Sequence, residues 1–249
     1  MKKHLRNQIQ RKKSKFEEWE RRNPSKQFKD FFGETVQSKM GSGKDHLNLG
    51  GNLPGNEFGK SGQRFFKTLL ALGLKEDDTC VEYGCGTLRA GIHAIEYLRP
   101  GAYWGLDISE FLLAEGRKLL GEELWEEKQP RLRLICPESV AEVAACKPAM
   151  LFSVKVLIHV HPAELPEFIS NIMTIIGTDG QAIIKGVWSD KATLQFSGRS
   201  WAHSAPVIRD LALEMGGNFL ILNETECQLE PIGQIAKKGT FRLSRIKRI

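Results

Sequence analysis

No run of apolar residues in this sequence approaches the roughly 20 that a membrane-spanning helix requires. Cysteine is scarce too: five in 249 residues, odd in number and irregular in spacing. That argues against a disulfide framework and for reduced thiols, hence a cytoplasmic protein, at most peripheral at a membrane surface. Cys80 and Cys85 stand close together, but no neighbouring Cys or His completes a ligand set, so no structural metal is expected. Acidic residues are missing from Met1 to Phe16, and so is an apolar core, so this segment does not read as a secretory signal. What remains, 41% hydrophobic and 27% charged, suits one α/β domain plus an appendage.

The charge is lopsided. Residues 1–40 carry 12 Lys/Arg against 5 Asp/Glu, whereas residues 41–249 carry 24 against 25. The basic character therefore belongs to a helical N-terminal arm, 1–40, in which Leu5, Ile9, Phe16 and Trp19 share a face that ends before Pro24. Such a helix is either solvated or packed on a partner surface, or it touches an anionic membrane or polyanion through residues 1–22. A glycine-rich connection, 41–62, follows, and its length suggests a lid or linker. It closes on Phe58 and Lys60, before a helix over Arg64–Leu74.

The most informative stretch is Thr79 to Gly91, TCVEYGCGTLRAG. A short β-branched and aromatic run passes through Gly84 and Gly86 and enters Ile92, Ile95 and Leu98 at helical spacing, which predicts strand, glycine turn and helix. A dinucleotide fingerprint, G-x-G-x-x-G, fails here because Arg89 fills its last position. What fits is an acid before the glycines, Glu82, and another closing the next strand, Gly101–Ile108. That second acid is Asp107, 23 residues beyond Gly84, close to the spacing of roughly 20 for a ribose-binding carboxylate.

On these residues the chain resembles the class I S-adenosylmethionine-dependent methyltransferases. Glu82 to Gly86 looks like their motif I and Tyr103 to Asp107 like their motif II, with Leu88 where a third glycine is usual. The resemblance implies a Rossmann-like α/β fold. Its seven-stranded sheet has the order 3-2-1-4-5-7-6, with helices on both faces, and occupies residues 63–249. It implies S-adenosylmethionine as cofactor. Glu82 would meet its methionine amino group, Gly84 and Gly86 would admit its methionine portion, and the helix starting near Leu88 would favour its carboxylate. Arg89 would bind that carboxylate or lie on the helix surface. Asp107 would accept from the ribose hydroxyls, Ile108 would press on the adenine, and Glu138 or Ser139 would meet its edge. Ser153, in the fourth strand, joins the cofactor set.

The remaining elements follow in order. Arg131–Ile135 alternates as a third strand, Ala149–Val156 is a buried fourth, and Leu157 to Ile176 starts a helix after His159, His161 and Pro162. Gln181–Val187 is the fifth, Ser204 caps a helix over Ala205–Met215, and Phe219–Asn223 and Thr240–Arg245 close the chain as strands. Ser197 to His203 reads as a polar, aromatic loop. Substrate contacts are expected there and after the fourth strand. His159 and His203 are the candidate bases, and Trp188, Trp201, Phe58 and Lys60 are candidate acceptor contacts. The N-P-P-[YW] signature of many N-methyltransferases is absent after the fourth strand, which favours an O-methyl acceptor such as a small molecule or glycan. The competing reading is a non-catalytic binding or scaffold protein acting through its basic arm.

Overall fold

The computed structural model describes residues 15–40, 60–229 and 232–246. Its centre is a mixed sheet. Strands β1 (Cys80–Tyr83), β2 (Tyr103–Asp107), β3 (Arg131–Leu134), β4 (Met150–Val154) and β5 (Gln181–Ser189) run parallel in the order β3-β2-β1-β4-β5. β1 and β2 are buried at every position, as strands covered on both faces must be. Antiparallel β9 (Gln234–Arg245) pairs with 181–188 of β5, and β8 (Gly217–Leu229) lies outside it. Counted as the sixth and seventh strands, these two give the expected order 3-2-1-4-5-7-6.

The end of β5, beyond its pairing with β4, takes a further neighbour. Trp188 and Ser189 pair with His203 and Ser204 of β7 (Ser200–Ser204), which forms a hairpin with β6 (Leu194–Ser197). The stretch expected as a loop is thus a hairpin, because Leu194, Phe196 and Ala202 find a small core against Leu229 and Ala236.

Two hydrophobic clusters cover the sheet faces. One is built on α3 (Lys60–Ala71) and α4 (Gly91–Tyr97), with Leu120 from the end of α5 (Glu110–Leu120) and Leu124 from α6 (Glu122–Lys128). The other is built on α7 (Pro137–Ala145), α8 (Leu165–Ile176) and α9 (Ala205–Glu214). Ser109 and Ser204 cap α5 and α9 by accepting the N–H of Leu112 and Val207. Two expected helix starts are displaced. α8 begins at Leu165 after two 3₁₀ turns, Leu157–His159 and Pro162–Glu164, since Pro162 holds His161 extended. α4 begins at Gly91 rather than near Leu88, which sits at φ 64, outside the helical region.

The N-terminal arm folds back on the body. Helix α1 (15–22) places Phe16 and Trp19 against Phe31 of α2 (Phe28–Met40), and Phe16 also against Phe28. Phe28 in turn meets Trp201 edge-on at 4.9 Å and stacks on His161 at 5.4 Å. Further along α2, Phe32 and Val36 pack with Phe111 and Leu112 of α5. Among the described residues no helix is long and apolar enough to cross a membrane, and no group of three or more His, Cys, Asp or Glu could hold a metal ion.

Candidate functional site

A cavity of about 910 Å³ opens at the carboxyl ends of the parallel strands, with α2 lying over it through Lys29, Phe32 and Val36. Ligands of open α/β sheets bind at such a switch point, here between β1 and β4. The turn after β1 forms its floor. Gly84 (φ 80) takes a left-handed conformation, and a Cβ there would collide with Val156. Gly86 (φ 52) also needs glycine, but nothing stands within 4 Å of where its Cβ would be, so its backbone is open to a ligand. Gly91 does the close packing that a third motif glycine would do. A Cβ there would overlap Tyr103 Oη and Glu82 Oε2.

The two carboxylates are buried and braced. Asp107 Oδ2 accepts the N–H of Gly86 at 2.7 Å, and Oδ1 accepts the N–H of Ser109 at 3.0 Å. Each oxygen keeps a lone pair, enough for two further donors. Burial pushes the Asp107 carboxyl up to about 6, against the downward pull of the N–H groups of Gly86, Ser109 and Ile108. Glu82 is only 3% exposed and accepts from Tyr103 Oη at 2.6 Å. Burial raises it to about 8, with Asp107 adding repulsion and the tyrosine hydrogen bond opposing. The acid is therefore held toward its neutral form, and a cation beside it would favour the ionised one. Ile108, Leu112 and Ile135 supply an apolar wall beside Asp107.

His159 reaches the cavity from the turn after β4. Its Nδ1 lies 3.0 Å from the Arg199 carbonyl oxygen, which only accepts, so Nδ1 carries the proton and Nε2 the free lone pair. Burial, with the Arg199 charge, lowers its pKa and keeps the imidazole neutral, although the bond to Arg199 opposes this. Phe32 packs on the ring at 4.9 Å.

Glu82, Gly84, Gly86, Arg89, Asp107, Ile108 and His159 are therefore brought together around one cavity. The other predicted residues are used elsewhere. Ser153 Oγ donates to the Tyr83 carbonyl at 2.8 Å and ties β4 to β1. Ser139 closes a capping box with Cys136 at the start of α7, and Glu138 points to solvent there. Trp188 is fully buried against Phe241. Trp201 packs on Phe28 and His161. His203 is fully buried with Nε2 3.0 Å from the Val160 carbonyl, and burial lowers its pKa to about 4. It holds β7 to the turn that carries His159 rather than facing the cavity. Phe58 lies outside the described residues, as does the side chain of Lys60.

Tyr103, the partner of Glu82, was not legible as a site residue, and neither were Lys155, Lys185 and Lys238, which also line the cavity. An alternation of strand residues gives no sign of which side chain meets a neighbour's carboxylate.

No protein-family model matches the sequence, and no curated protein matches it. Solved structures do. One is magnesium protoporphyrin IX methyltransferase from Synechocystis PCC 6803 with bound SAM. It is 17% identical with a TM-score of 0.63, over 90% of this chain and 100% of that one. The phosphoethanolamine N-methyltransferase 2 of Haemonchus contortus matches at 14% identity and a TM-score of 0.60, over 90% and 62% of the two chains. Geranyl diphosphate C-methyltransferase from Streptomyces coelicolor A3(2) matches at 15% and 0.55, over 75% and 78%. The sheet order, the glycine turn and these matches agree: this chain has the fold of the class I S-adenosylmethionine-dependent methyltransferases.

Proposed function

We propose that this protein is an S-adenosylmethionine-dependent methyltransferase that methylates a hydroxyl oxygen of a small-molecule or glycan acceptor. The observation that carries the reading is the pair of buried carboxylates, Glu82 and Asp107, on either side of a glycine turn with open space at Gly86. Asp107 has the unused lone pairs to accept from both ribose hydroxyls, Glu82 suits an ammonium, and Ile108, Leu112 and Ile135 suit an adenine face. When bound, the cofactor supplies a methyl carbon already activated by its sulfonium.

The chain's own task is then to align the acceptor, exclude water and hold one proton. α2 covers the cavity and shuts out water through Phe32 and Val36. His159 Nε2 takes the proton that the acceptor hydroxyl loses, with Nδ1–H anchored on Arg199 and the turn pinned by His203. General-base help of this kind is worth about 10²–10⁴-fold. The structural neighbours act on a porphyrin, a phosphoethanolamine and geranyl diphosphate, acceptors too different to select one for this chain.

A contact between the basic arm and an anionic surface belongs to the same reading. It is narrowed to residues 1–14, because Phe16 and Trp19 already pack on α2. Calorimetric titration with S-adenosylhomocysteine, using Asp107→Ala as control, tests the assignment. Specific binding lost in the variant supports it, and no binding by the wild type refutes it. Binding without methyl release on any extract would favour a scaffold. Loss of turnover in His159→Ala, with cofactor affinity kept, identifies the base.

A further inference from the structure

The wall of the cavity opposite Asp107 is basic. Lys155 follows β4, Lys185 lies on β5, and Lys238 lies on β9, opposite Val187 two residues beyond Lys185. Residues two apart on a strand share a face, so the β5 and β9 lysines point the same way. Lys155 is locked beside them. Its N–H donates to the Lys185 carbonyl at 2.9 Å, with its backbone at φ 63, a conformation that lysine rarely adopts.

Several lysines elsewhere on the protein meet acids. Lys237, next to Lys238 but on the other face of β9, meets Glu224 and Glu226, Lys26 meets Glu34, and Lys29 meets Glu167. Among the described residues no carboxylate pairs with Lys155, Lys185 or Lys238. The cavity's own acids are engaged or distant. Glu164 accepts the Lys29 N–H and Glu167 the Lys29 ammonium, while Glu82 and Asp107 sit on the β1–β2 side. Burial and the neighbouring Arg89, Lys185 and Lys238 charges lower the pKa of Lys155, as expected where positive groups crowd one wall.

We infer that Lys155, Lys185 and Lys238 form an anion site for a phosphoryl group carried by the methyl acceptor. The inference rests on the methyltransferase reading at one point. The cofactor brings a sulfonium and an ammonium against a single carboxylate, so it adds positive charge and cannot neutralise this wall. Since no described residue supplies the negative charge, it is assigned to the acceptor. Three ammonium groups suit a multiply charged phosphate or diphosphate better than one carboxylate. The placement is also productive. Lys155 and His159 lie on the same segment after β4, so an acceptor anchored by its phosphate on the lysines presents its hydroxyl toward the base and the glycine turn.

The test is calorimetric titration of the full chain, saturated with S-adenosylhomocysteine, with inorganic pyrophosphate, and with succinate at matched ionic strength. Pyrophosphate is expected to bind the loaded protein. Lys185→Gln and Lys238→Gln should each weaken it roughly tenfold and leave S-adenosylhomocysteine affinity unchanged. Lys238→Arg, which keeps the charge, should retain binding, separating charge from misfolding. The site is refuted if pyrophosphate does not bind, binds the Gln variants equally well, or displaces S-adenosylhomocysteine. Succinate binding as tightly as pyrophosphate overturns the phosphoryl assignment. Should S-adenosylhomocysteine fail to bind while pyrophosphate still binds in a Lys238-dependent way, the methyltransferase reading falls and the anion site stands.

Discussion

The two sides of the cavity follow opposite electrostatic plans. On the β1–β2 side, two carboxylates are buried and each is held by hydrogen-bond donors: Gly86 and Ser109 for Asp107, Tyr103 for Glu82. On the β4–β5–β9 side, three lysines converge with no carboxylate partner among the described residues. On the first side each acid already has donors, and under the proposed function its unused lone pairs take hydroxyls and a cation. On the second, no described acid balances the lysines. Under the proposed function and the inferred anion site, this division sets a sulfonium cofactor and an anionic acceptor on facing walls.

Asp107→Ala should break this contrast most severely. It removes both oxygens proposed to face the ribose and frees the Gly86 N–H, so cofactor affinity should fall about 10²–10³-fold by calorimetry, and a loss under about tenfold would unseat Asp107 from its role. Gly91→Ala comes next. Its methyl group would overlap Tyr103 Oη and Glu82 Oε2, which must shift. Overpacking of this kind costs about 1–3 kcal/mol, a Tm decrease of roughly 2–12 °C in a thermal melt. Tyr103→Phe removes a hydrogen-bond donor that holds Glu82 toward its charged form. Cofactor affinity should fall about tenfold, and the pH at which affinity is half-maximal should rise.

The titration of the acidic side sharpens the comparison without a mutation. Burial raises Glu82 from 4.5 to about 8 and Asp107 from 3.8 to about 6, so the ligand-free native state holds protons that the unfolded chain has released. Its stability should therefore decline as pH rises from about 4 to about 8. The cofactor ammonium favours ionised Glu82, so binding at pH 7 should release protons and strengthen with pH up to about 8. Calorimetry in two buffers of different ionisation enthalpy reads this directly, and proton uptake would contradict it. The smallest effect is expected on the basic side. Lys155→Gly should relieve the backbone at φ 63 and stabilise the fold by about 0.5–1 kcal/mol while weakening pyrophosphate binding.

The acidic side was readable because it is local. Glu82, Gly84, Gly86 and Asp107 lie within one βαβ unit, and each has a residue type that its backbone or ligand demands. The displaced glycine at Gly91 was readable only as a spacing. Its overlap with Tyr103 and Glu82 appears once β1 and β2 are paired. Ser139, Ser153 and Trp188 misled for a related reason: each is polar or aromatic at a strand or helix end, but caps and interstrand contacts use them first. The hairpin β6–β7 was hidden because its strands are short and its core is completed by Leu229 and Ala236 from distant strands.

By itself the sequence determined the succession of the five parallel strands and the helices between them, the glycine turn and the two acids beside it, since periodicity, glycine conformation and strand-end carboxylates are properties of contiguous chain. Only the tertiary structure decided that α2 lies over the cavity, that His159 and not His203 reaches it, and that Lys155, Lys185 and Lys238 line one wall. Those lysines are brought together by pairing between strands, and like charges carry no local signal of the neighbours that a sheet will give them.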